Sequence, residues 1–119
     1  MSKRIVTILG IALATAACAS FPPPNDTLAN SLASVRGAEE IGASNVPKAA
    51  LHVQLAQEEL TKAKALMAEG DNEEAHFMAL RAANDAELAI ALTRENSARG
   101  EADKAQQGVD AAKTLEVTK

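Results

Sequence analysis

Aromatic residues are nearly absent from this 119-residue chain, which has no Trp, no Tyr and only Phe21 and Phe77. Binding sites built from stacked rings are therefore excluded. Hydrophobic residues still make up 47% of the sequence, and alanine is the commonest of them. Because Ala has the highest helix propensity but a small side chain, this composition predicts helices that pack closely along thin seams.

Cysteine occurs once, at position 18, so an internal disulfide is excluded. It follows a leader with the basic pair Lys3 and Arg4, an apolar run over residues 5–13 and small residues over 14–17. This order is typical of a secretory signal peptide. The apolar run is shorter than the roughly 20 residues that a spanning helix needs. We therefore predict that residues 1–17 are a signal peptide.

The leader ends in Ala16-Ala17-Cys18, which resembles the end of a bacterial lipobox, where the cysteine becomes the N-terminus and carries acyl chains. Thr15 departs from the usual Leu, and cleavage after an Ala-x-Ala site, which would release a soluble periplasmic protein, is the alternative. An isolated cysteine at the end of a leader favours lipidation of Cys18. Ala19 after the cysteine, in place of Asp, resembles lipoproteins of double-membrane bacteria that are sorted to the outer membrane, and this resemblance implies the same destination. Residues 18–26 form the predicted anchor and a stiff, Pro-rich tether.

A basic surface is missing as well. The net charge is -4 and acidic residues alternate with basic ones, so we expect no nucleic-acid partner. The sequence has no phosphate loop, no dinucleotide fingerprint and no Gly-rich elbow around a serine, so we expect neither a cofactor nor an enzyme. His52 and His76 are predicted to lie apart on the surface of different helices, without a metal.

Three helical segments are predicted between residues 27 and 99. The first begins near Thr27, capped by Asn25 or Asp26, and the second opens at Pro47. Gly70 should end the second helix, with the third following Asp71 in an antiparallel hairpin. Apolar residues recur every three or four positions on each helix. These stripes are Leu28, Leu32, Val35 and Ala38; Ala49, Val53, Ala56, Leu60, Ala63 and Met67; and Ala75, Ala79, Ala82, Ala86, Ala89 and Thr93.

The fold class predicted from these stripes is an all-α, three-helix antiparallel bundle with a long helical hairpin and alanine-rich seams. We expect a flank of the third helix to receive the first, through Phe77, Leu80, Leu88 and Leu92. Pairs of opposite charge four residues apart should lie on exposed faces, namely Glu58 with Lys62, Arg81 with Asp85 and Glu95 with Arg99. Because Gly100 and Gly108 weaken helix formation, residues 100–119 are predicted to be a frayed helical tail.

Several short motifs are spread over the stretch from Cys18 to about Arg94. They are Cys18-Ala19-Ser20 followed by prolines, Gly42-Ala43, Pro47, Leu60-Thr61-Lys62-Ala63-Lys64-Ala65, Gly70-Asp71-Asn72-Glu73-Glu74-Ala75 and Ala82-Ala83-Asn84-Asp85-Ala86-Glu87-Leu88-Ala89. With these motifs the stretch resembles the family known as domain of unknown function 4398, a family of bacterial envelope lipoproteins without an assigned activity. Asn72 departs from the aromatic residue often found there, and Asn45-Val46 replaces the usual Tyr-Ala before the proline. The resemblance implies a fold and a location, and no chemistry.

These observations predict a non-enzymatic lipoprotein, anchored at the periplasmic face of the outer membrane through its acyl chains. It would act as a structural or protein-interaction module, with an envelope protein or a peptidoglycan-associated component as its partner. A soluble periplasmic binding or chaperone-like module is the alternative. A covalent link from Lys119 to peptidoglycan also stays open. The sequence leaves self-association open too, because four leucines are uncovered unless the helices wrap them: Leu51, Leu55, Leu66 and Leu92.

Overall fold

The computed structural model describes residues 20–117, and over that range the chain consists of helices and short connections. Helix α1 spans Asn25–Glu40, α2 spans Pro47–Glu69 and α3 spans Asn72–Val117; a single 3₁₀ turn, Ala43–Asn45, joins α1 to α2. The predicted all-α fold with a long hairpin is confirmed. The predicted signal peptide, Cys18 and Lys119 lie outside the described residues.

The ends of α2 follow the local chemistry of the sequence. Pro47 is its first residue, where the absence of an N–H group removes no hydrogen bond. Gly70 ends it in the left-handed conformation, with φ of 90°, and the amide of Asp71 donates to the carbonyl oxygen of Leu66 at 2.9 Å. The chain therefore reverses within two residues and enters α3 at once.

The start of α1 differs from the prediction. Neither Asn25 nor Asp26 caps the helix: both lie within it, Pro24 occupies the capping position, and no side chain bonds the free amides there. The helix begins directly after the proline run, because the carbonyl oxygen of Pro24 already accepts from the amide of Leu28 at 2.9 Å. Asp26 lies in the first turn, where its negative charge interacts favourably with the positive end of the helix dipole.

The predicted seams form the centre of the hairpin. All six seam residues of α3 are buried, as are those of α2 from Ala49 to Ala63, and Met67 is half-buried. On α1 the buried residues are Ser31, Val35 and Ala38, while Leu28 and Leu32 pack against the same core. Alanine against alanine lets the helix backbones approach closely, so the core is thin and extends along the helix axes.

The side of α3 that receives α1 was predicted wrongly. Phe77, Leu80 and Leu88 are 54%, 41% and 44% exposed. Leu92 does pack against the core, but it borders Val46 and Pro47 at the start of α2. Helix α1 lies instead beside His76, Ala79 and Ile90. The α1 residues that meet this edge are small, since Ser31 lies against Ala79 and Gly37 against Ile90, and this allows the α1 backbone to approach α3 closely.

Helix α3 extends far past the bundle. Its last buried residue is Thr93, and residues 94–117 are exposed throughout; we call them the α3 extension. The helix runs without a break through Gly100 and Gly108, so the tail predicted from residue 100 is helical as far as Val117. At 1.5 Å per residue, α3 is about 69 Å long. Among the described residues, no helix has the length and apolar character needed to cross a membrane.

Candidate functional site

One side of the α2–α3 hairpin carries a second stripe of residues on each helix. Every member lies one position before a seam residue and so repeats at the same spacing of three and four. We call this surface the open face. It is formed by His52, Leu55, Glu59, Lys62 and Leu66 of α2 and by Glu74, Met78, Arg81, Asp85, Leu88 and Leu92 of α3.

Helix α1 is held on the opposite side of the hairpin. The hydroxyl of Ser31 lies 2.5 Å from the carbonyl oxygen of Ala79 on α3. Glu39, near the end of α1, accepts a hydrogen bond from the side-chain amide of Gln57 on α2. Because the α1 contacts are made on this side, α1 does not cover the open face.

Three polar pairs cross the open face between α2 and α3. Nδ1 of His52 donates to Oδ1 of Asp85 at 2.7 Å, and Nη2 of Arg81 lies 2.8 Å from Oε1 of Glu59. Nearer the turn, Nζ of Lys62 is 4.0 Å from Oε1 of Glu74. We call these pairs the polar ladder. Since each pair joins a residue of α2 to one of α3, the ladder fixes how far one helix can slide along the other.

Glu59 is the most buried member of the ladder, with 9% of the residue exposed. Burial raises the pKa of its carboxyl group above the ordinary value; the guanidinium of Arg81 opposes the rise and the carboxylate of Asp85 adds to it. Its second oxygen, Oε2, is buried without a hydrogen-bond partner. The ladder therefore contains one acceptor that the fold itself does not satisfy.

The chemistry of the ladder suits helix registration and recognition. Its basic groups each face a carboxylate across the seam, and its flanks are Leu and Met side chains. Within residues 20–117, no three His, Cys, Asp or Glu side chains are grouped so that they could hold a metal ion. His52 and His76 lie on different sides of the hairpin and do not meet, as predicted. Both are half-buried and bonded to another helix, so their prediction as plain surface residues was wrong.

A second cluster lies where the N-terminal segment meets the hairpin turn. The side-chain amide of Asn72 donates to the carbonyl oxygen of Phe21 at 2.9 Å, and Pro24 is buried. The ring of His76 stands between Phe21 and Phe77, with centroid distances of 5.4 and 5.8 Å, and its Nδ1 is 3.0 Å from the hydroxyl of Thr27.

We call this region the turn end. It contains a shallow depression of about 470 Å³, lined by Ser20, Phe21, Gly70, Asp71, Asn72, Glu73, Glu74 and Phe77. The contacts of Phe21 show that the chain preceding α1 is bound to the hairpin turn as soon as the described residues begin.

The profile of a family described as Domain of unknown function (DUF4398) matches residues 26–105, more than half of the chain. The chain belongs to this family. The DUF4398 match covers the three bundle helices, the complete polar ladder and the first half of the α3 extension. No curated protein and no solved structure matches the chain.

The pairs that join α2 to α3 in this DUF4398 protein were not predicted from the sequence. Arg81 and Asp85 were expected to pair within α3, and Lys62 with Glu58 within α2. Arg81, Asp85 and Lys62 instead contact residues of the facing helix. The sequence does contain a signal for these cross-helix pairs, because every residue of the polar ladder precedes a seam residue by one position. Of the predicted local pairs, Glu95 with Arg99 is confirmed at 2.6 Å, in the α3 extension.

Proposed function

We propose that this DUF4398 protein is a non-enzymatic interaction module of the cell envelope, held at the periplasmic face of the outer membrane by acyl chains on Cys18. The observation that carries the proposal is the α3 extension. It continues α3 without a break over residues 94–117, and every residue in it is exposed. A segment of this length that adds nothing to its own core is suited to contact another molecule.

The extension is supported by local pairs along its own helix. Arg99 bonds Glu95 at 2.6 Å, and the side-chain amide of Gln106 donates to Asp110 at 2.9 Å. Such pairs contribute only a few tenths of a kcal/mol each, so the helix is regular without being anchored. The DUF4398 match reaches residue 105, which places part of this exposed helix within the family's common region.

The rest of the architecture supports a binding role over catalysis. The seams are filled by alanine, and the hydroxyl groups of Ser31, Thr61 and Thr93 are engaged with backbone carbonyl oxygens. Thr27 does face the imidazole of His76, but this half-buried pair joins α1 to α3 beside the exposed rings of Phe21 and Phe77. A hydrolytic site would need a third group to orient the imidazole and walls to exclude water.

Lipid attachment is tested by metabolic labelling of cells with palmitate. We expect wild-type protein to incorporate the label and to fractionate with outer membranes, and Cys18→Ser to lose both properties. Because Cys18 is the only cysteine, the thiol change alters no other position. An unlabelled wild-type protein that fractionates with the periplasmic contents would contradict the anchor and favour a soluble binding or chaperone-like module.

The interaction role is tested by placing a photo-crosslinking residue on α3 in the native envelope. Ala105 lies in the extension, and Ala91 is an exposed alanine beside the bundle, four turns earlier on the same helix. We expect position 105 to give a discrete crosslinked product that is weak or missing at position 91. Equal products at both positions would show that the extension has no special role.

A further inference from the structure

We propose that the turn end of the protein lies against the lipid surface, with the rings of Phe21 and Phe77 entering the headgroup region, while α3 points away from the membrane. The inference rests on the proposed anchor at Cys18 and adds the surface that faces the lipid. It sets the orientation of the whole bundle, because α3 starts at the turn end.

The first step is the path of the chain before α1. Phe21 is bound at the turn through the side-chain amide of Asn72, and its ring contacts the ring of His76. Two residues separate Phe21 from Cys18 in the sequence. With 3.8 Å between successive Cα atoms, the anchor lies at most about 11 Å from Phe21. Acyl chains on Cys18 therefore place the lipid surface within reach of the turn end.

The second step is the chemistry of that end. Phe21 and Phe77 are the only Phe, Tyr or Trp residues in the chain, and they lie on either side of the same imidazole, 38% and 54% exposed. Exposed aromatic and aliphatic side chains on an anchored protein gain from entering the boundary between headgroups and acyl chains.

The charges around these rings decide which lipid they fit. Asp71, Glu73 and Glu74 surround the same depression, so the turn end is acidic. Anionic headgroups would repel it, and a zwitterionic phosphatidylethanolamine or phosphatidylcholine surface is the better match. The carboxylates can remain in water at headgroup level while the two rings reach deeper.

A single tryptophan provides the test, because the chain has none. Mature acylated protein carrying Phe77→Trp is inserted into phosphatidylcholine vesicles with brominated acyl chains, which quench indole emission on contact. The matched control is Leu88→Trp, another exposed side chain eleven residues further along α3 and about 16 Å from position 77. We expect bromination to reduce the emission of Phe77→Trp about twofold or more and to leave that of Leu88→Trp unchanged.

The outcomes separate the orientation from the anchor. Quenching at both positions would mean that the bundle lies flat, and quenching at neither, in protein that floats with the vesicles, would mean that the turn end stays off the lipid. Either result overturns the inference and leaves the anchor intact. Acylated protein that fails to float would overturn the proposed anchor itself. Phe21→Trp is a second probe of the turn end and should be quenched to the same extent as Phe77→Trp. Agreement between the two probes would show that the result does not come from a local disturbance at position 77.

Discussion

Glu59 is the residue at which helix packing and solvation conflict. Its position one place before Leu60 brings the carboxylate to the edge of the seam, where it is nearly buried. Arg81 satisfies one oxygen, but Oε2 is left without a partner and Asp85 adds a second negative charge nearby. An unpaired buried oxygen is costly when the group is charged and much less so when it carries a proton.

This conflict predicts a particular pH dependence. Because the pKa of Glu59 is raised on folding, mainly by burial, the folded state holds the proton more tightly than the unfolded chain does. The contribution of Glu59 to stability is therefore greatest below its ordinary pKa of 4.5 and declines as the pH rises through the folded-state pKa. We expect the free energy of unfolding of Glu59→Gln, relative to wild type, to increase over that interval.

Urea unfolding followed by circular dichroism at a series of pH values measures the difference. Glu58→Gln is the matched control, since it removes a carboxylate from the adjacent, exposed position. If the free energies of unfolding of the two variants, each relative to wild type, change equally with pH, the burial of Glu59 does not cause the pH dependence.

At the scale of the elements, the hairpin depends on close approach of α2 and α3. The facing positions are filled mainly by alanine, and Ala56 and Ala82 are fully buried on the two helices. Each alanine buries little area, so the stability of the hairpin comes from many small contacts along the whole seam and not from any one residue. A larger side chain at such a position has no space to enter without separating the backbones.

We therefore expect Ala82→Leu to lower the free energy of unfolding by about 1–3 kcal/mol, because overpacking forces the helices apart. Ala91→Leu makes the same change at an exposed position of α3 and should alter it by less than about 0.5 kcal/mol. Thermal and urea unfolding of both variants measures the difference. Equal effects would show that the seam is more loosely packed than the burial of Ala82 indicates.

The seams could be predicted from sequence because they are periodic. Ala75 to Thr93 repeats every three or four residues, and burial of that stripe follows from helical geometry alone. The polar ladder could not be predicted in the same way. Arg81 has one candidate partner four residues along α3 and another on α2, and only the closeness of the two helices decides between them. The side on which α1 packs was missed for a related reason, since Leu88 and Ile90 are equally apolar in sequence.

At the scale of the molecule, the two ends of the bundle have different characters. The N-terminal segment and the hairpin turn meet at one end, where Phe21 is bound. The α1–α2 connection and the α3 extension lie toward the other. The described residues are thereby organised as a rod, with the bound N-terminal segment at one end and the exposed α3 extension at the other.

If the extension is independent of the bundle, breaking it should change the shape of the protein and leave its stability unchanged. Gly100→Pro removes a backbone hydrogen bond and kinks the helix, a local cost of about 3 kcal/mol. In protein lacking residues 1–19, we expect the urea midpoint of bundle unfolding to stay at the wild-type value. The largest dimension measured by small-angle X-ray scattering should fall, since the unbroken part of α3 shortens from about 69 to about 42 Å.

The matched control is Leu92→Pro, the same break placed where α3 still packs against the core. It should lower the midpoint strongly, because α1 and α2 both depend on that part of α3. A loss of stability in Gly100→Pro comparable to that of Leu92→Pro would show that the extension is packed in solution. Because the extension carries the proposed interaction, that result would also remove the structural reason for assigning it a partner.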